Sequence, residues 1–400
     1  MSADHSARDF LAELAYFRTA LRELASEVHG NPEIGLHEFH AVLLQKRLLE
    51  RYGFDVVMPY CGLETAFRAE YGSAESPSFA FASEYDALPE LGHACGHNLI
   101  CCASLGAFLV VARRLRLDNI PARILLLGTP AEESVGGKAL MLDHDCLKGV
   151  DACMMVHPGP FTEPDTGSSS LRSFAVTFRG RAAHAAAAPE KGINALDAAL
   201  LLFHGISLWR QALPESARIH GVISEGGTVP NIIPDKTVCR VYLRASDENL
   251  TDRMEERFFD MVRGAELFTG VSAEIRREER DMCARLPNPV LNRIFLRAAE
   301  EAGLSPIIPA GSSRDSSDFG NFSRIVPGIH PYFSISETPV AGHTVEMRDA
   351  AGSDFGFEQA MKAAAAMAFT AWHFLTSSAV REEVRHVFDE GISGMKKSDQ

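Results

Sequence analysis

Positive charge is what this chain is short of. Its 39 lysines and arginines face 53 aspartates and glutamates, a formal balance of −14 over 400 residues. That sign argues against nucleic acid and anionic membrane surfaces as partners. Long apolar runs are missing as well: no stretch reaches the ~18 uncharged apolar residues that a spanning helix needs. The opening segment, MSADHSARDFLAELAYFRTALRELASEVHG, lacks the basic head and apolar middle of a secretory signal. It reads instead as one amphipathic helix, with Phe10, Leu11, Leu14, Phe17, Leu21 and Leu24 at helical spacing. The expected compartment is therefore the cytoplasm. There is no internal repeat and no low-complexity tract. Eight cysteines, at 61, 95, 101, 102, 146, 153, 239 and 283, are scattered and sit mostly in apolar runs. That suits small buried hydrophobes in a reducing compartment.

What is present is enough apolar sequence for more than one core. With 46% hydrophobic and 23% charged residues, a chain of this length is expected to form two domains. Up to about residue 160, strand-like runs (SFAFASEYDAL, ARILLLGTPAEE, DACMMVHPG) alternate with helical patterns, one of them from about Leu99 to Leu115. That alternation implies an α/β fold with a mainly parallel sheet covered by helices on both faces. After Gly167 the pattern changes. The strand LRSFAVTFRG, the helix INALDAALLLFHGISLWRQAL, the strands RIHGVISEGG and DKTVCRVYLRAS, the helix NLTDRMEERFFDMVRGAELFTG and the strand SAEIRREERD follow in turn. The order β-α-β-β-α-β is the ferredoxin-like unit. The expected organisation is a larger domain over 1–170 and 286–400, with a smaller one inserted at 171–285.

Chemistry gathers where the strands of the first domain should end. In open parallel sheets, ligands bind beyond the carboxyl ends of the strands. The first expected strand runs out at Glu84 and Asp86, the second at Glu132 and Glu133, and the third at His157. LGHACGHNLICC brings Cys95 and His97 close behind the first, and PVAGHTVEM offers His343 from far along the chain. Gly96 lets the backbone turn so that Cys95 and His97 face one point. A thiolate, imidazoles and a carboxylate suit zinc best among divalent metals. Adjacent residues on an extended segment point in opposite directions, so one of Glu132 and Glu133 can hold metal while the other reaches a bound water. Taken singly, a cysteine in an apolar setting is more often packed than ligating, and an acidic pair more often opens a helix. Their joint position at successive strand ends favours a shared centre.

With these residues assembled, the sequence resembles the dinuclear-metal amidohydrolases of the aminoacylase and dipeptidase family. NPEIGLHEF, SEYDALPELGHACGHN, GTPAEE, GRAAHAAAAPEKGINALDA, GGTVPNIIPD and PGIHPYFSI match in order. The likeness is strongest to the branch of beta-alanyl-lysine and Xaa-Arg dipeptidases and aminobenzoyl-glutamate hydrolase subunits. The resemblance implies a catalytic domain with an inserted lid or dimerisation domain. It implies two divalent cations, with zinc first and manganese, cobalt or nickel as alternatives. Cys95, His97, Glu133, His157 and His343 would be their ligands, with Cys95 bridging. Glu132 would be the general base and acid, and Asp86 would support the centre. Glu84 and His93 carry no ligand role. His184 would stabilise the oxyanion across the interface of a homodimer. Asn231 matches a substrate-proximal asparagine. On the residues themselves, Arg244 could clamp a substrate carboxylate or be a surface arginine. GSSRDSSDFGNFS, with Asp318, reads as a loop lining the site. The implied activity is metal-dependent hydrolysis of the amide bond of a dipeptide or N-acyl amino acid. An aryl amide or another C–N bond is the alternative. A non-catalytic metal- or ligand-binding relative is the reading from another class.

Overall fold

The computed structural model describes residues 5–304, 307–308 and 315–397. The chain divides into two compact units, Met1–Gly167 with Arg285–Ser313 and Asp318–Gln400, and Ser168–Ala284 with Arg314–Ser317.

The first unit begins with helices α1 (Ala7–Leu14), α2 (Arg18–Gly30) and α3 (Phe39–Arg51). The single amphipathic helix expected at the start is thus two. Ser6 caps the first with a capping box, and the chain breaks after Leu14, where Phe17 turns in against Tyr52 with ring centroids 4.8 Å apart. Then come strands β1 (Val56–Val57), β2 (Phe67–Tyr71) and β3 (Ser78–Ser83), helix α4 (His97–Leu117), β4 (Arg123–Gly128), α5 (Gly137–Leu142), β5 (Ala152–Met154) and β6 (His157–Gly159).

The chain next passes through the second unit, built of β7 (Ser170–Arg179), α6 (Ala195–Arg210), β8 (Arg218–Glu225), β9 (Lys236–Ala245), α7 (Glu248–Thr269) and β10 (Ser272–Arg277). It returns to the first unit with α8 (Pro289–Glu301), α9 (Phe319–Ser323), β11 (Gly328–Ile329), β12 (Tyr332–Ser334), α10 (Val345–Ala351), α11 (Asp354–Thr376) and α12 (Ser378–Lys397).

The main sheet runs β1-β2-β4-β3-β5-β11. The four strands β4, β3, β5 and β11 are parallel, and β2 and β1 add an antiparallel edge. β3 and β4 are buried along their whole length, as strands covered on both faces must be. Alternation sorts their side chains between two cores. Phe79, Phe81, Ile124 and Leu126 join the core that holds α4 and α11. Ala80, Ala82, Leu125 and Leu127 join the one that holds Met141 of α5 and Phe319 and Phe322 of α9. Helix α4 is long and apolar enough to match a membrane span by length and composition, yet most of it is buried in this core. Small residues, Ala363 to Ala366 of α11 among them, complete the packing.

In the second unit the four strands pair antiparallel in the order β10-β7-β9-β8. Its own core takes Ala198, Leu202 and Ile206 from α6 and Met254, Phe258 and Val262 from α7. The β-α-β-β-α-β order expected from the sequence is the one observed.

Candidate metal centre

Three parallel strands, β3, β4 and β5, deliver their carboxyl ends to one edge of the sheet, and the ionisable residues follow directly. Glu84 and Asp86 come one and three residues after Ser83, the last residue of β3. Glu132 and Glu133 lie in the turn that follows β4. His157 opens β6, three residues after β5 ends at Met154. Gly96, at φ +77°, is the N-cap of α4 and separates Cys95 from His97, the first helical residue. A side chain there would be strained in this left-handed conformation, and its Cβ would lie 2.7 Å from Pro158 Cγ.

Two non-glycine residues also adopt positive φ at this edge, Ala131 at 63° and His343 at 60°. Such conformations cost energy and persist where surroundings hold them. Ala131 is held by Glu38, whose Oε1 accepts its amide at 2.8 Å, and by the amides of Val135, Gly136 and Gly137, which all donate to its carbonyl. His343 is held by its own amide, which donates to Ala94 O at 3.0 Å and so ties the loops of Cys95 and His343 together.

The side chains converge in overlapping sets. Ligand atoms of Cys95, His97 and His157 lie within 4.8 Å of one another, and so do those of Cys95, Glu133 and His343. Cys95 belongs to both sets. His343 Nε2 is 3.2 Å from Cys95 Sγ and 3.6 Å from Glu133 Oε1. His97 Nε2 is 3.8 Å from the same Glu133 oxygen. Behind them stands Asp86, fully buried, with Oδ1 3.1 Å from His97 Nδ1 and Oδ2 accepting the Glu133 amide at 2.9 Å. The Asp86 bond orients the His97 ring so that Nε2 faces the cluster. His157 is oriented in the same way by Nδ1 against Pro158 O at 2.7 Å.

The extended geometry expected for Glu132 and Glu133 is not what separates them, because both sit in a turn. They diverge nonetheless. Glu133 faces Cys95 and His343, and Glu132 also shares a set with Glu84 and Asp318.

The electrostatics have the mark of a centre built around cations. Burial pushes the Glu132 carboxyl well up, and the nearby Glu133, Glu84 and Asp318 add to it. Burial would also raise Glu133, but the His343 imidazole, His97 and Cys95 outweigh it and bring its carboxyl down to about 2. The Cys95 thiol is pushed up by burial and by the Glu133 charge. His97 is raised despite burial, chiefly by Asp86. Buried Glu84 Oε2, His97 Nε2 and Glu133 Oε1 have no hydrogen-bond partner among the described residues. Each such atom costs about 1–3 kcal/mol when nothing meets it, and a cation would satisfy several at once. One thiol, three imidazoles and a carboxylate are the donors that zinc takes, so the residues present fit a divalent centre.

The remaining candidates lie elsewhere. His184, Asn231 and Arg244 belong to the second unit. There His184 and Asn231, 47 residues apart in sequence, are neighbours: Ala185 N donates to Asn231 O at 3.0 Å, and His184 bridges Ile232. His184 is exposed, and its Nδ1 accepts the amides of Ala186 and Ala187 at 3.2 and 3.1 Å. That leaves the ring proton on Nε2, as a donor. Arg244 on β9 donates to Ser316 Oγ at 2.9 Å. Asp318 lies in the first unit, fully buried, with both carboxylate oxygens bonded to Lys138. Of the loop at 311–323, residues 311–314 lie outside the described residues. His93 is buried, with burial first and then His97 and His29 lowering it to about 3.

Sequence reasoning missed Lys138, Glu38 and His330. Lys138 follows the acidic pair closely as the one charge in GGKALML, and that was the available signal. His330, in PGIHPYF, stacks on His157 at 5.3 Å, and nothing in its neighbours announces the contact.

Comparison with known proteins places the chain in a family. Residues 166–266 match the peptidase dimerisation domain called M20_dimer. The Xaa-Arg dipeptidase of Mus musculus is 38% identical over 349 residues, 83% of this chain and 79% of that protein. A p-aminobenzoyl-glutamate hydrolase polypeptide of Escherichia coli is 28% identical over 72% of this chain and 63% of its own length. A dinuclear metal binding peptidase from Bacillus subtilis superposes with a TM-score of 0.69 at 20% identity, covering 94% of this chain and all of its own. By its sequence, its fold and the match of its second unit, the chain belongs to the M20 peptidase family.

Proposed function

We propose that Cys95, His97, Glu133, His157 and His343 would hold two divalent cations, and that Glu132 would move the proton in amide hydrolysis. The chain is an amidohydrolase of the M20 family that hydrolyses the amide bond of dipeptides or N-acyl amino acids. The observation that carries the assignment of residues is the overlap of two ligand sets at Cys95, with Glu132 beside them. Zinc is the metal we assign, on the strength of the thiol and imidazole donors.

When bound, the cations lower the pKa of a water and polarise the scissile carbonyl. Glu132 accepts the water's proton at its carboxylate and passes it to the leaving amine. Its buried, anion-rich surroundings favour taking up that proton. Asp86 holds the His97 ring and the Glu133 backbone in register with each other. His184, with its proton on Nε2, donates to the oxyanion from the second copy of a homodimer. Asn231 and Arg244 are assigned to the substrate, Arg244 as a clamp for its carboxylate. Asp318, expected to line the site, has its oxygens engaged in the interior, and we assign it to the support of the acidic residues around Glu132.

Among substrates we put a dipeptide with a basic C-terminal residue first, supported by the likeness to the mouse enzyme. Aminobenzoyl-amino acids are the second reading, supported by the likeness to the Escherichia coli protein. The cytoplasm is the compartment we assign, supported by the burial of five of the eight cysteines as small apolar side chains.

The test is Glu132→Gln on zinc-reconstituted protein, assayed on Xaa-Arg, Xaa-Lys, acyl-amino acid and aryl-amide panels. It should keep its metal and lose activity by about 10²–10⁴-fold. Turnover near that of the parent would remove Glu132 from the mechanism.

A further inference from the structure

Beside the metal-ligand sets lies a lobe with too many carboxylates. Oxygens of Glu84, Glu132 and Asp318 come within 4.8 Å of one another. Glu84 and Asp318 are wholly buried, and an ion in the interior is costly unless something pairs with it. By spacing alone this trio resembles a third cation set. What fills it is the side chain of Lys138. That lysine sits in the first turn of α5 and is fully buried. Its Nζ donates to Glu84 Oε1 and, at 2.7 Å, to Asp318 Oδ1. Its backbone amide takes the other Asp318 oxygen at 2.8 Å. The Glu132 charge, with those of Asp318 and Glu84, helps it keep its proton despite burial.

The clamp also decides how Glu84 is turned. One Glu84 oxygen is committed to Lys138, and the other lies 3.5 Å from His97 Nε2 with no hydrogen-bond partner. Without the ammonium, Glu84 is a buried carboxylate at the edge of the metal centre with both oxygens open.

We propose that Lys138 is a positioning residue that stands in the acidic lobe where a divalent cation would otherwise sit. By clamping Glu84 and Asp318 it confines the metal ions to the two sets that share Cys95 and keeps the space beside Glu132 free of a third ion. This rests on the reading of the Cys95 sets as the metal centre. It differs from a merely structural lysine in predicting metal stoichiometry.

The experiment counts divalent ions per chain after equilibrium dialysis against zinc, by elemental analysis, with no substrate present. Lys138→Met removes the charge at nearly constant length. It should bind one more ion per chain than the parent, and Lys138→Met/Asp318→Asn should return to the parent's count. Activity of Lys138→Met should fall about 10–100-fold, in kcat, with KM within about threefold. A parental metal count in Lys138→Met overturns the proposal. If that variant folds only with zinc in the medium, the dependence is the expected result read through stability. If it folds under no condition, Lys138→Gln, which keeps a donor for Asp318, takes its place with the same two outcomes. Glu132→Gln run alongside separates the two ideas. Its retained turnover would sink the proposed mechanism, whereas the Lys138 count is read without turnover.

Discussion

Glu38 offers a test of the site's support that needs no substrate. It is fully buried, accepts the Ala131 amide on Oε1 and the Thr65 hydroxyl on Oε2, each at 2.8 Å, and so props the strained residue just before Glu132. Burial, helped by the Asp86 charge, raises its carboxyl from the ordinary 4.5 to about 7. The folded protein therefore holds this proton more tightly than the unfolded chain does. Between pH 4.5 and 7 the unfolded chain has lost the proton and the folded one has not, so the stability Glu38 contributes falls as pH rises. The two values differ by about 2.5 pH units at about 1.36 kcal/mol each, or about 3 kcal/mol lost by pH 8.

Glu38→Gln removes the charge and keeps an oxygen for Ala131. The weaker bond to Thr65 offsets about 1 kcal/mol. The variant should match or trail the parent at pH 4.5 and exceed it by about 2 kcal/mol at pH 8. Urea unfolding of metal-free protein at the two pH values, with unchanged slope, measures this. Equal differences at both pH values, or a variant that loses ground at pH 8, would refute the argument that a buried charge at Glu38 opposes folding.

Three further outcomes are expected. Asp86→Asn should weaken zinc binding about 10–100-fold by releasing His97 and the Glu133 backbone together, measured by competition with a chelator. Gly96→Ala should lower both zinc affinity and melting temperature, because it forces a side chain into a left-handed position already against Pro158; a melting curve and a zinc titration check it. Mixed Glu132→Gln and His184→Ala chains should recover activity that neither shows alone, and mixed dimers that stay inactive would count against action across an interface.

Residues 78–83 and 123–128 were legible as strand in the sequence, because strands buried on both faces read as continuous apolar runs. The second unit was legible too, since the strands at 236–245 and 272–277 alternate and the helix at 248–269 keeps a helical period. The candidate donors could be read from their types and their place after strands. The break at residues 15–17 could not, because helical spacing continues across it. Nor could the turn that carries Glu132 and Glu133, since its shape comes from Glu38, nearly a hundred residues earlier, and from amides that close on Ala131.

What the sequence by itself determined is the inventory: which donors exist, and on which elements they ride. Local pattern suffices for that, because periodicity and turn chemistry act over a few residues. Tertiary structure alone decided who meets whom. Cys95 meets His343 across 248 positions, and Lys138 meets Asp318 across 180. Such pairs are chosen by the packing of a sheet edge, where burial makes each charge depend on the one beside it. No window along the chain carries that information.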